Sequence, residues 1–265
     1  MSTPAPGRLV LIPNTLDLGA AQAVPLSHVL PQAAIERAAG LRHWVVENAK
    51  SARAFLKRVG EVAPLVLPLQ QLDIRELPRQ AKGVQRSASS QALQAREEQQ
   101  ALRSLLTPAL EGADIGLLSE AGLPAVADPG SDLVAQAHQL GLAVEPWSGP
   151  SSLMLALAVS GLGGQNFAFV GYLPQDAAAR AVRIRELEAV SRRSGQTQIA
   201  IETPYRNAAL LQALVDTLQP STRLCVASGI TLPGAWNRSD TVAEWRQGPA
   251  ATLHSHTPAV FAWLA

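Results

Sequence analysis

Residues 119–130 read Ser119-Glu120-Ala121-Gly122-Leu123-Pro124-Ala125-Val126-Ala127-Asp128-Pro129-Gly130, and this stretch decides the fold. The apolar run before it, residues 114–119 (DIGLLS), reads as a buried strand. The segment after it, residues 131–140, reads as a helix closed by Gly141. A strand, a small rigid loop and a helix in that order belong to an open α/β sheet, whose ligands sit beyond the carboxyl ends of the strands. Gly122 permits close approach of backbone, and Pro124 and Pro129 fix the course of the chain. Such a loop can present amides and carbonyls to a ligand, or it can be an ordinary strand-to-helix turn.

The pattern extends upstream. Residues 8–13 (RLVLIP) predict a first strand, and a helical stretch with Ala33, Ile35 and Ala38 stops near Gly40. Residues 43–47 (HWVVE) predict a strand, and residues 49–59 a helix ended by Gly60. Residues 64–69 (PLVLPL) are a weaker strand candidate, because Pro68 suits only an edge or a strand end. Residues 70–90 carry Arg75, Arg79, Lys82 and Arg86 and read as a mobile, basic loop, either an RNA-facing element or a solvated connector. A helix is expected over 91–111, with Gly112 as its stop. Downstream, residues 142–146 (LAVEP) predict the next strand, completing repeated β-α-β units of a mainly parallel sheet.

Trp147-Ser148-Gly149-Pro150 breaks the periodicity and marks a boundary between domains at 1–147 and 148–265. Beyond it come a helix at 151–160 with Ser151 as N-cap, and a strand at 166–172. A helix at 177–193, a strand at 198–202 and a helix at 205–218 follow. A strand at 223–227, a short helix at 240–247 and a last strand at 258–264 complete a second α/β unit.

The 265 residues are 47% hydrophobic and 16% charged, with a formal net charge of +1, as for a globular protein not dominated by nucleic-acid electrostatics. The single cysteine, Cys225, lies in an apolar run and reads as a buried thiol that makes no disulfide. The N-terminus lacks a basic region followed by an apolar one, and no apolar run is long enough to span a bilayer, so the cytoplasm is the expected compartment.

Three further segments join the loop at 119–130. Ser148-Gly149-Pro150-Ser151-Ser152 opens a helix, Gly171-Tyr172-Leu173-Pro174 ends a strand, and Glu202-Thr203-Pro204-Tyr205-Arg206 follows a strand. The order S-(D/E)-A-G-x-P-x-x-x-D-P-G, then G-P-S-(A/S), then G-(F/Y)-L-P, then E-S-P-H-R resembles the ribosomal RNA small-subunit methyltransferase I family of the tetrapyrrole-methylase superfamily. The resemblance is sharp from Ser119 to Arg206. It implies two α/β domains with a ligand cleft between them, the class III methyltransferase arrangement, with S-adenosylmethionine as cofactor. Pro13, Ala121, Gly122, Leu123, Ser151, Ser152 and Thr203 are implied as cofactor-binding residues. Ribosomal RNA or the small ribosomal subunit is the implied partner, and a homodimer the implied assembly, with no membrane partner.

The chain departs from that family at Pro13-Asn14-Thr15-Leu16-Asp17 (family P-x-G-N), Glu47-Asn48-Ala49-Lys50 (E-D-T-R), Ser228-Gly229-Ile230-Thr231-Leu232 (R-E-L-T-K) and Thr257-Pro258 (G-E before the last strand). At the end of a strand, Glu47 can take a proton from an attacking hydroxyl and Lys50 can hold a phosphate, or both sit on an ordinary strand end. The expected reaction is methyl transfer to an oxygen, a ribose 2′-hydroxyl of ribosomal RNA. Methylation of a tetrapyrrole or other small molecule, and a cofactor-binding sensor without catalysis, are the alternatives. His254 and His256 would share one face of a strand, an arrangement a metal can use. No acidic or cysteine partner lies near them, so no metal is expected. Arg180, Arg183, Arg185, Arg192 and Arg193 form a basic helix that is either solvated or RNA-facing, and Trp236 and Trp245 either stack on bases or pack in the core.

Overall fold

The strands at 8–13, 43–47, 114–119 and 142–146 form a single parallel sheet whose central strands are largely apolar on both faces. In the computed structural model, which describes residues 5–17, 23–78, 88–249 and 251–265, they are β1 (Arg8–Leu11), β2 (His43–Val46), β4 (Ile115–Leu118) and β5 (Ala143–Pro146). Two short helices, α1 (Leu26–Val29) and α2 (Gln32–Ala39), connect β1 to β2, and α3 (Ala49–Val62) leads to β3 (Asp73–Glu76). Helices α4 (Ala88–Leu105) and α5 (Thr107–Leu110) precede β4, and α6 (Ser131–Gln139) follows it. The strand order is β3-β2-β4-β1-β5, all parallel. Successive residues point to opposite faces. Val10 and Trp44 face Ile35, Phe55 and Leu56 on one side, while Leu9 and Val45 face Leu106, Leu133 and Ala137 on the other.

Residues 64–69 are not a strand, since Pro64 and Pro68 cannot donate to a ladder. The edge strand is instead Asp73–Glu76, inside the segment expected to be a loop, and its Arg75 pairs with Asp73 at 3.0 Å. Arg79, Lys82 and Arg86 lie outside the described residues. Helix α3 continues through Gly60 to Val62 because Phe55, Leu56 and Val59 anchor its buried face. The long helix expected at 91–111 ends at Leu105, and a separate turn begins at Thr107 with Pro108 in its first positions.

Among the described residues, 5–17 with 25–150 form one compact unit, and 151–265 the main part of another. The second unit contains α7 (Ser152–Ser160), β6 (Phe167–Gly171), α8 (Ala177–Ser194), β7 (Thr197–Ile201) and α9 (Asn207–Thr217). It ends with β8 (Arg223–Ser228), β9 (Trp236–Thr241), α10 (Val242–Gln247) and β10 (Ala259–Leu264). Its sheet is mixed, in the order β6-β7-β10-β8-β9, with only β6 and β7 parallel. One face packs on α8 and α9 through Ile184, Leu187, Leu210 and Leu214, and the other on α7 through Leu153, Ala156 and Leu157.

Strand β9 was not expected, and the helix thought to begin at residue 240 starts at Val242, capped by Thr241. Trp245 is core, its indole Nε1 donating to the Leu224 carbonyl at 2.8 Å, so it is no base-stacking group. Cys225 is buried in β8, and burial pushes its thiol up to about 11. His254 and His256 stack their rings in a turn rather than sharing a strand face, and no group of three metal-ligating side chains occurs among the described residues. No helix among them is long and apolar enough to cross a membrane.

Candidate functional site

Strands β2 and β4 are neighbours, and the chain leaves β2 outward to β3 but leaves β4 the other way, across β1 to β5. This is the switch point of the sheet, beyond whose carboxyl ends the ligands of open α/β sheets bind, and β1 lies on the other side of β4. The loop after β4 is the 119–130 stretch, and the loop after β1 is residues 12–17.

The two loops are tied together by main chain and by one buried side chain. The Asn14 amide donates to the Gly122 carbonyl at 2.8 Å, and the Gly122 amide to the Thr15 carbonyl at 3.3 Å. The Asn14 side chain donates from Nδ2 to the carbonyls of Ser119 and Glu120, both at 3.0 Å, and accepts the Thr15 amide at 2.8 Å. Thr15 Oγ1 donates to Asp17, and Arg58 holds Asp17 at 3.0 Å. The polar residues at 14–17 thus form a clamp that fixes the loop.

Within the loop, Gly122, Ala125, Ala127 and Gly130 all have positive φ, at 67°, 64°, 61° and 125°. Left-handed backbone costs an alanine roughly 1 kcal/mol, and such strain concentrates where a loop must hold a particular shape for a ligand. The buried Ser119 hydroxyl has no hydrogen-bond partner.

Glu47, at the end of β2, accepts the Glu120 amide at 3.1 Å. Burial raises its pKa. Asp128 is pushed up to about 7, first by burial and then by the charges of Glu47 and Glu120. A carboxyl that titrates near neutrality can take up a proton from a reacting group. Lys50 is exposed on the first turn of α3, where Asn48 caps the helix by accepting the amides of Lys50 at 2.9 Å and Ser51 at 3.3 Å. Sequence reasoning named Glu47 but gave no role to Asp128. The signal available was an acid set between an alanine and a proline in a loop of small apolar residues.

A prediction follows from Asp128. The unfolded chain releases this proton near 3.8, and the folded chain only near 7. Between those values the folded state holds more protons, so stability falls as pH rises through the window. Three units correspond to about 4 kcal/mol, which partial solvent exposure reduces to about 2 kcal/mol. Asp128→Asn is expected to gain that amount relative to wild type between pH 4 and pH 7.5, measured by urea unfolding. An unchanged difference across the range would show that Asp128 titrates normally.

In the second unit, Ser151 caps α7 by accepting the Met154 amide at 3.5 Å. Ser152 is the first residue of that helix, and both serines are half-buried. Glu202 follows β7 and is buried. Its Oε1 accepts from the Thr203 amide at 2.7 Å, Thr203 Oγ1 at 3.2 Å and Arg206 Nη2 at 2.7 Å. Pro13, Ala121, Gly122 and Leu123 all lie in the first unit's paired loops, with Pro13 and Gly122 buried and Ala121 and Leu123 half-buried.

The sequence model of the family described as Tetrapyrrole (Corrin/Porphyrin) Methylases matches residues 45–242. The chain belongs to that family. This methylase-family chain is similar to the ribosomal RNA small subunit methyltransferase I of Vibrio cholerae, at 37% identity over 145 residues, 55% of this chain and 49% of the relative. It is also similar to the protein of that name from Pseudomonas aeruginosa, at 41% identity over 105 residues, 40% of this chain and 35% of the relative. The methylase-family chain thus spans about half the length, or less, of these curated relatives in the matched region. Among solved structures, uroporphyrin-III C-methyl transferase from Thermus thermophilus, complexed with S-adenosyl homocysteine, superposes with a TM-score of 0.53 at 15% identity, covering 97% of each chain. A conserved protein from Aeropyrum pernix superposes with a TM-score of 0.55 at 17% identity, covering 98% of this chain and 85% of the other. At such identities the likeness is one of fold, and it agrees with the α/β class expected from the motifs.

Proposed function

We propose that the chain is an S-adenosylmethionine-dependent methyltransferase acting on a hydroxyl oxygen of ribosomal RNA, the 2′-hydroxyl of a ribose. The observation that carries this reading is the strained, main-chain-walled loop at the switch point of the first sheet, in a chain of the methylase family whose curated relatives are named for ribosomal RNA. The loop fits the cofactor chemically, since carbonyl oxygens meet a sulfonium better than a lysine or arginine would. Pro13, Ala121, Gly122 and Leu123 on the first unit, with Ser151, Ser152 and Thr203 on the second, are the residues assigned to hold it. On this reading the two lobes are residues 1–147 and 148–265, a boundary three residues before the division at Pro150.

When bound, the cofactor supplies an electrophilic methyl group. The protein's own residues then align the acceptor oxygen and remove its proton. The carboxylates of Glu47 and Asp128 are the groups of the first unit able to take that proton. Lys50, exposed on α3, suits a phosphate of the substrate. The outward side of α7 exposes Met154, Leu155 and Val159, an apolar strip that supports a homodimer, and a cytoplasmic location agrees with an RNA substrate.

Titration calorimetry with S-adenosylhomocysteine is expected to give saturable heat, and labelled methyl is expected to pass to small-subunit RNA. Absence of heat overturns the cofactor assignment. Transfer to a tetrapyrrole but not to RNA overturns the substrate.

A further inference from the structure

Strands β6 and β7 run parallel as neighbours, so the segments after them leave the same end of the second sheet. The first begins with Tyr172, directly after β6, and the second carries Tyr205 and Arg206. Both tyrosines are open to solvent, Tyr172 at 58% and Tyr205 at 70%. A tyrosine buried in a core would contribute on the order of 2 kcal/mol, so two exposed at one end of the sheet stand apart from the chain's other packing.

Arg206 is held beside Tyr205. Its Nη2 donates to buried Glu202 at 2.7 Å, and its guanidinium carbon lies 5.4 Å from the centre of the Tyr205 ring. The bond to Glu202, followed by the nearby phenols of Tyr205 and Tyr172, holds the arginine above its ordinary pKa. The buried Nε of Arg206 has no hydrogen-bond partner. A second cation is tied to the segment after β6, where Arg180 of α8 donates from Nη1 to the carbonyl of Gln175, three residues after Tyr172. Helix α8 adds Arg183 and Arg185 on exposed positions, with Arg183 paired to Glu186.

Aromatic faces beside fixed guanidinium groups are the parts used to hold an unpaired strand of nucleic acid. Bases stack on the rings and phosphates meet the cations. Duplex RNA is held differently, across its minor groove by hydroxyl and phosphate contacts. We infer that Tyr172, Tyr205 and Arg206 form a stacking platform for an unpaired segment of the RNA substrate. The inference rests on the RNA reading above and specifies which form of RNA is held, and by which end of the second sheet. Tyr205 stands where the resembled family has histidine, so the larger ring belongs to this chain.

The test uses the full chain and a fluorescein-labelled single-stranded RNA of twelve nucleotides, read by fluorescence anisotropy. Tyr172→Ala and Tyr205→Ala are each expected to weaken binding about tenfold, the size of one lost base stack, and the double variant further. Tyr205→Phe is expected to bind within twofold of wild type, because the ring and not the hydroxyl does the stacking. Wild type is expected to prefer the single strand to a duplex of the same length. Binding unchanged in the double alanine variant, or equal affinity for the duplex, overturns the platform. Calorimetry with S-adenosylhomocysteine on the same samples separates the two readings. Normal heat with weakened RNA binding supports the platform, and no heat in wild type, with the aromatic dependence intact, removes methyl transfer while leaving the platform standing.

Discussion

Gly149→Ala is expected to lower the thermal midpoint by about 10 °C and to abolish the heat of S-adenosylhomocysteine binding. A β-carbon at Gly149 would lie 2.1 Å from Pro13 Cβ and 2.6 Å from Pro13 Cγ, far inside contact distance. Proline has no rotamer in which to retreat, so the backbone after β5 or after β1 must move. Overpacking of this kind costs about 3 kcal/mol, and a domain pair of this size loses ~3 °C per kcal/mol. The loss of binding has a separate cause. Pro13 begins the segment whose next residue clamps the 119–130 loop, so displacing it disturbs the wall assigned to the cofactor. Pro13→Gly removes the two atoms in conflict and is expected to restore stability in the Gly149→Ala background, a coupling that a double-mutant cycle measures. Gly40→Ala serves as the control, since its nearest neighbours would lie 3.6 Å away and its backbone is already helical. A midpoint within 2 °C of wild type for Gly149→Ala would show that the two segments part without cost.

How far the sequence discloses this architecture depends on where each segment lies in the sheets. Strands β1, β2 and β4 were legible because helices cover both faces of their sheet, and residues such as Leu9 and Val10 must both be apolar. The edge strands β5 and β6 were also read, but the edge strands β3 and β9 were not. β3 reads DIRE and β9 reads WNRSDT, polar because an edge strand keeps one face in water, and no apolar period betrays them. The apolar run PLVLPL drew the strand assignment away from β3, although its prolines cannot join a ladder. The histidine pair at 254 and 256 suggested a strand face for a similar reason, since spacing alone cannot tell a strand from a turn.

The site divides in the same way. The 119–130 loop announces itself through glycine and proline, which are local signals. The clamp at Asn14 and the raised pKa of Asp128 depend on β1 lying beside β4 and β2 beside β4 on its other side. Residues 14 and 120 are 106 positions apart, and no local pattern joins them. At 14–17, where the chain departs from the resembled family, Asn14, Thr15 and Asp17 are polar residues turned inward to hold the loop.

That inward set yields the second large effect. Asn14→Ala is expected to cost about 4 kcal/mol, because three polar groups, two of them buried, lose their partner at once. The carbonyls of Ser119 and Glu120 lose a donor, and the Thr15 amide loses an acceptor. Each orphaned group costs roughly 1–3 kcal/mol when water cannot reach it, and the half-buried Glu120 carbonyl stands at the low end. Asn14→Asp separates this account from a packing effect. Aspartate has nearly the same shape and keeps the acceptor for Thr15, but it cannot donate, and it sets a charge against two carbonyl oxygens. If shape were what mattered, aspartate would be tolerated. If donation to the loop matters, aspartate is expected to be at least as harmful as alanine at pH 7 and to recover part of the loss near pH 4, where a protonated carboxyl can donate one hydrogen bond. Urea unfolding at the two pH values reads the difference, and an aspartate variant as stable as wild type at pH 7 would remove the clamp from the account of the site.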